Sequence, residues 1–145
     1  MTLSLHHVAL STRNLEASIS WFVAFLEGSE AWRTESFSEL TQTRVPGIRR
    51  MAEIRSGNLR VHIFEAPNEC AVSRVPGEHY AIVVTGPDEL RTLHERWIAL
   101  AEEYDLASSG SPSPIVVDSY GIESFYARDI TGVEFEVTHE PPDEE

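Results

Sequence analysis

Apolar and polar positions follow the same order in the first and second halves of the chain. An apolar stretch over residues 3–11 predicts a buried strand, and Asn14 after it is a favourable helix N-cap. A helical stripe of apolar residues comes next, and Gly28 is the expected stop. The stripe consists of Leu15, Ile19, Phe22 and Leu26. Sequence rich in β-forming residues, with turn signals at 46–47 and 56–58, predicts further strands.

The second half begins with a predicted strand over 79–85, and Pro87-Asp88 opens a second helix. Its predicted buried face consists of Leu90, Leu93, Trp97, Leu100 and Tyr104. Three more strands are predicted near 114–118, 122–128 and 133–138. The order of elements is therefore βαβββ twice. We expect an α+β fold with strands antiparallel within much of each module and helices on one face of each sheet.

The expected organisation is two modules and two short connecting or terminal segments. Residues 1–67 form the first βαβββ module and residues 77–140 the second. Residues 68–76 are the predicted linker, and residues 141–145 are a predicted acidic tail.

Two pairs of polar residues share nearly the same spacing between the halves. His7 and His79 are 72 residues apart, and His62 and Glu136 are 74 apart, as their numbers in the sequence give. Alternation along the last strand of each module places His62 and Glu136 opposite the apolar side chains. A duplicated unit of this kind usually meets its copy across a pseudo-two-fold axis. We therefore expect residues that can bind a metal to converge from both halves.

Composition removes several classes of function. The formal net charge of −13 argues against nucleic-acid or anionic-membrane partners, and no apolar run is long enough to span a membrane. All 11 basic residues are arginine, so lysine Schiff-base and phosphate-loop chemistry are excluded. The single cysteine, Cys70, has no basic neighbour in sequence and is interpreted as structural. We expect a cytoplasmic protein.

Three segments resemble one known superfamily. Residues 5–22 resemble its opening strand and helix, residues 77–81 its second opening, and residues 125–136 its closing strand pair. Together they resemble the vicinal oxygen chelate superfamily, which includes glyoxalase I, extradiol dioxygenases and bleomycin-binding proteins. Ile130 and Val133 replace the usual proline and asparagine of the closing segment. The resemblance implies a glyoxalase-like fold, with curved mixed sheets around a concave metal cleft and helices outside.

The same resemblance implies a metal site. His7, His79 and Glu136 match the positions of the family's metal ligands, and His62 matches a fourth position that only some members use. This donor set suits Fe²⁺, Mn²⁺, Ni²⁺, Co²⁺ or Zn²⁺. Three roles remain open for His62, which are metal ligand, general base and part of the pocket wall. Two remain open for Tyr126, which are substrate hydrogen-bond donor and packing residue.

Several functions remain open at this point. We favour a metal-dependent lyase or isomerase that binds a small substrate through neighbouring oxygens. A non-heme Fe(II) dioxygenase on the same residues is an alternative, although residues 117–119 lack the histidine that ring-cleaving members carry. A metal-free binding protein of the drug-resistance type is the third. A homodimer is the expected assembly.

His6, next to His7, is expected to be structural or partly exposed and to face the opposite side of the strand.

Overall fold

The computed structural model describes residues 1–67 and 76–143. The chain divides into two compact units, Met1–Ser73 and Arg74–Glu145. The predicted linker at 68–76 lies almost entirely outside the described residues, as does Cys70. The predicted boundaries of the linker and tail therefore stay predictions.

Unit 1 is an open four-stranded mixed sheet covered by one long helix. Its strands are β1 (Val8–Thr12), β2 (Ser29–Thr34), β3 (Arg50–Ser56) and β4 (Leu59–Glu65). They lie in the order β1-β4-β3-β2, with β1 parallel to β4 and the other pairs antiparallel. Helix α1 (Leu15–Leu26) packs on β3 and β4, and the short helix α2 (Glu39–Arg44) follows β2.

Unit 2 repeats this topology. Its strands are β5 (Tyr80–Val83), β6 (Val116–Val117), β7 (Glu123–Arg128) and β8 (Glu134–His139). They lie in the order β5-β8-β7-β6, again with the first pair parallel. Helix α3 (Pro87–Glu103) packs on β7 and β8. The prediction of an α+β fold built from a repeated unit is confirmed.

Both long helices begin where the sequence predicts. The side chain of Asn14 accepts a hydrogen bond from the amide of Ala17, which satisfies one of the unpaired N–H groups of the first turn of α1. Pro87 occupies the first turn of α3, where its missing N–H costs nothing. The buried faces of these helices form the apolar layers of their units. In α1 this face includes Leu15, Trp21, Phe22 and Phe25, and in α3 it includes Leu90, Trp97 and Leu100.

Three details differ from the sequence prediction. Residues 1–7 are not part of a strand, and Leu3 and Leu5 are 83% and 79% exposed, so the predicted buried strand begins at Val8. Helix α2 was not expected, because six residues carry too little periodicity to mark a helix. The left-handed residue that ends α1 is Glu27, with φ of 50°. Gly28 instead permits close packing, since a Cβ there would lie 2.6 Å from a backbone oxygen of β3.

Candidate metal centre

The first cluster lies in unit 1, at the start of β1 and the middle of β4. His7 immediately precedes β1, and its ring stacks on that of His62 with centroids 3.8 Å apart and an interplanar angle of 14°. His62 is buried, while His7 is exposed. Partial desolvation of the His7 ring and the neighbouring imidazoles of His62 and His6 lower the pKa of His7. The neutral imidazole that binds metals is therefore favoured at His7.

A buried carboxylate lies beside His62. Glu53 on β3 pairs directly with His62 on β4, and its Oε1 lies 2.9 Å from Nε2 of His62. The other carboxylate oxygen accepts a hydrogen bond from Nε of Arg55. Burial opposes ionisation of Glu53, but the hydrogen bonds from His62 and Arg55 outweigh it and hold its pKa below the usual value. Glu53 is therefore an anion, although it is only 1% exposed.

The charge on Glu53 decides which nitrogen of His62 carries the proton. A carboxylate only accepts, so Nε2 of His62 donates to Glu53. In the neutral imidazole Nδ1 is then the basic nitrogen, free to bind a proton or a metal. Carboxylate–histidine pairs of this kind orient metal ligands and raise their basicity.

His6 lies closer to this cluster than the sequence predicted. Its Nδ1 is 2.8 Å from Nδ1 of His7, and its ring centroid is 6.1 Å from that of His62. The prediction that His6 faces away from His7 assumed continuous strand alternation, which requires a strand at residues 6 and 7. Because the strand begins at Val8, both rings turn to the same side. His6 is exposed in the structure, where the prediction was a structural or partly exposed residue.

The second cluster lies in unit 2. His79 immediately precedes β5, and its Nε2 is 3.3 Å from Oε2 of Glu136 on β8. Its Nδ1 is 2.7 Å from the carbonyl oxygen of Gly77, which can only accept. Nδ1 therefore carries the proton, and in the neutral ring Nε2 presents a lone pair towards the Glu136 carboxylate. A carboxylate only accepts, so this facing pair is satisfied either by a proton on Nε2 or by a bound cation between the two atoms.

Tyr126 is the third member of the cluster in unit 2. It pairs directly with Glu136 across β7 and β8, and its ring lies 5.5 Å from that of His79. The hydrogen bond from the phenol to Glu136, together with burial, raises the pKa of Tyr126. The phenol is therefore protonated at neutral pH and is available as a hydrogen-bond donor.

The two clusters occupy equivalent places in their sheets. Ala9 on β1 pairs with His62, and Ala81 on β5 pairs with Glu136. On the other side of each closing strand, Glu53 stands in unit 1 where Tyr126 stands in unit 2. Each half thus brings a histidine before its first strand to the same face as a polar residue on its last strand.

Sequence reasoning missed Glu53 and Trp32. Glu53 lies three residues before the 56–58 turn and His62 four residues after it, so hairpin register could have paired them. Trp32 lies opposite Glu53 because a register shift between Glu30 and Trp32 inserts a residue into β2. Its indole approaches His62, with ring centroids 5.2 Å apart. A bulge of this kind has no clear signature in a single sequence.

Comparison with solved structures places this architecture among known proteins. A glyoxylase/bleomycin resistance protein/dioxygenase domain from Frankia sp. EAN1pec matches with a TM-score of 0.73 and 19% identity, covering 99% of this chain and 96% of that chain. The chain has the glyoxalase-like fold of that domain. The fosfomycin resistance protein FosX from Listeria monocytogenes, complexed with Mn(II) and sulfate, matches with a TM-score of 0.67 and 17% identity. That match covers 99% of this chain and 98% of FosX.

A glyoxalase family protein from Enterococcus faecalis shares the glyoxalase-like fold with a TM-score of 0.61 and 19% identity. The match covers 93% of this chain and 96% of the Enterococcus faecalis chain. No protein-family model matches the sequence, and no curated protein matches it significantly. Among the described residues, no helix has the length and apolar character needed to cross a membrane.

Proposed function

We propose that the protein is a divalent-metal-dependent enzyme that binds a small substrate through neighbouring oxygen atoms and acts as a lyase or isomerase. In this proposal His7, His79 and Glu136 hold the metal. The observation that carries it is the pairing of His79 with Glu136, whose facing Nε2 and Oε2 atoms lie 3.3 Å apart. FosX, which shares the fold, has been crystallised with Mn(II).

The chemistry of these donors fits such an ion. Two imidazoles and one carboxylate bind Mn²⁺, Fe²⁺, Co²⁺, Ni²⁺ or Zn²⁺ and leave positions for substrate oxygens. The hydrogen bond from Nδ1 of His79 to Gly77 supports binding through Nε2, because it fixes the tautomer that has its lone pair there. The lowered pKa of His7 supports a neutral ligand in the first unit.

When bound, the metal supplies a Lewis acid that stabilises negative charge developing on the substrate oxygens. We assign proton transfer to Nδ1 of His62. Glu53 accepts a hydrogen bond from Nε2 of His62, so it orients the ring and stabilises the imidazolium that forms when Nδ1 takes a proton. The Tyr126 phenol lies beside Glu136 in the free protein, and we propose that it donates a hydrogen bond to a substrate oxygen in the complex.

Metal titration of the purified, metal-free protein tests the ligand set. Isothermal titration calorimetry with Mn²⁺ should show that His7→Ala, His79→Ala and Glu136→Gln each weaken binding by at least about tenfold. His139→Ala and Glu123→Gln are matched controls and should bind like the original chain. Equal affinity in all six proteins would refute the assignment. Absence of binding in all of them would favour a metal-free binding protein.

The same donor set supports a second candidate, a non-heme Fe(II) dioxygenase, because two histidines and one carboxylate are typical of such enzymes. An oxygen electrode separates the two reactions. A dioxygenase loaded with Fe²⁺ should consume O₂ and convert catechol to a ring-cleaved product faster than free Fe²⁺ does. Conversion of a hemithioacetal by Mn²⁺-loaded or Ni²⁺-loaded protein, without O₂ uptake, supports the lyase or isomerase assignment.

A further inference from the structure

Three histidines of unit 1 form a group that needs no residue from unit 2. One nitrogen from each of His6, His7 and His62 lies within 4.8 Å of the other two. Imidazole nitrogens on one tetrahedral zinc ion, bonded at about 2.1 Å, lie roughly 3.4 Å apart. Approach by up to about 1.4 Å would therefore bring all three to a shared ion. His6 and His7 precede β1, so sheet hydrogen bonds do not fix their backbone in place.

We propose that His6, His7 and His62 form a second, separate binding set for a borderline transition-metal ion such as Cu²⁺, Ni²⁺ or Zn²⁺. A set made only of imidazoles favours these ions over Mn²⁺, which prefers oxygen ligands. His7 belongs to this set and to the proposed catalytic set. An ion held by the three histidines therefore withdraws His7 from catalysis and inhibits the Mn²⁺ enzyme.

Glu53 prepares His62 for this role. Its carboxylate accepts a hydrogen bond from Nε2, which leaves Nδ1 of His62 for the ion, and the buried negative charge partly offsets that of the ion. Glu53→Gln keeps the size of the side chain but removes its charge. This change should weaken Cu²⁺ binding by about 10- to 100-fold.

Arg60 competes with the ion for His6. Its Nη1 lies 3.0 Å from Nε2 of His6, and a guanidinium can only donate, so Nε2 accepts. His6 then carries its proton on Nδ1, the nitrogen next to Nδ1 of His7. An ion bound at Nδ1 must displace this proton and turn Arg60 away. Arg60→Gln should therefore tighten Cu²⁺ binding, whereas a purely structural His6–Arg60 contact predicts no such gain.

Trp32 provides a local optical signal. Its indole lies 5.2 Å from the ring of His62 and is 38% exposed, whereas Trp21 and Trp97 are 0% and 1% exposed. Cu²⁺ bound by the three histidines should quench the emission of Trp32. Trp32→Phe should remove this quenching and leave the calorimetric affinity unchanged.

The experiment uses the full chain with His79→Ala and Glu136→Gln, which lacks two ligands of the proposed catalytic set. Cu²⁺ is added during calorimetry and fluorescence, and electron paramagnetic resonance reports the number of nitrogen ligands. We expect three nitrogens, loss of at least about tenfold in affinity with His6→Ala, and no change with His139→Ala. Circular dichroism confirms that each variant is folded, and the single variant His79→Ala serves as a second background.

Two results would overturn the proposal. One is a chain that binds no Cu²⁺ in either background. The other is binding that His6→Ala leaves unchanged, which marks an adventitious ion. The proposed catalytic set is tested separately by Mn²⁺ binding to His6→Ala protein, which retains His7, His79 and Glu136. If the His6→Ala protein does not bind Mn²⁺, the proposed function is rejected, but the proposed three-histidine site is unaffected.

Discussion

Replacing Glu53 by glutamine tests whether the buried charge organises unit 1. The carboxylate accepts hydrogen bonds from His62 and Arg55 at only 1% exposure. A hydrogen bond to a charged group contributes about 1.5–3 kcal/mol, and one partner removed from a buried ion pair costs about 3–5 kcal/mol. Glutamine has one oxygen, so it keeps one of the two bonds and turns its NH₂ group towards the other donor. We expect unfolding to require about 2–3 kcal/mol less free energy.

Urea denaturation measures this loss. With a slope of about 2 kcal/mol per molar urea, the midpoint of the Glu53→Gln protein should fall by roughly 1–1.5 M. Tryptophan fluorescence follows the transition, because Trp32 lies beside His62 and Trp21 lies in the core of the same unit. Glu35→Gln, an exposed change after β2, is the control and should stay within about 0.5 kcal/mol. A Glu53→Gln midpoint equal to that of the control would refute the reasoning.

Three further outcomes are expected. Hydrogen bonds from Arg50 and the Leu15 amide lower the pKa of Glu65 below its usual 4.5, so its stabilisation is complete above that pH and is lost as acid protonates it. Acid unfolding should therefore be less steep in Glu65→Gln, and an unchanged profile would contradict this. Gly28→Ala places a Cβ 2.6 Å from the Arg55 oxygen and should cost about 1–3 kcal/mol in thermal unfolding, while Gly86→Ala, with open space around it, should cost less. Light scattering should give twice the chain mass of 16.3 kDa, and a monomer at micromolar concentration would exclude the proposed homodimer.

Strand alternation predicted much of what lies within each half. His62 and Glu136 fall opposite the apolar positions of their strands, as the period of two requires, and Tyr126 lies beside Glu136. Alternation failed at His6, because it was extended into a segment that is not a strand. The sequence alone does not reveal where the ladder of hydrogen bonds begins.

The missed residues depend on pairing between strands. From its sequence context alone, Glu53 is indistinguishable from a solvent-exposed charged residue of a strand. Its role becomes visible only when its partner across the hairpin, His62, is known. Trp32 depends on one extra residue in β2, without which it would pair with Ala52 and point into the core under α1. Hydrophobic periodicity records which face a residue prefers, but it does not record these shifts in register.

The matching positions in the two sheets have a consequence for how such a protein can change. Equivalent pairing positions in the two sheets hold an imidazole and a carboxylate in unit 1 and a carboxylate and a phenol in unit 2. After an ancestral duplication, each copy could therefore exchange its reactive groups without rebuilding its scaffold. A new activity then requires only a few substitutions at these equivalent positions. One unit can change its reactive residues while the other unit keeps its own.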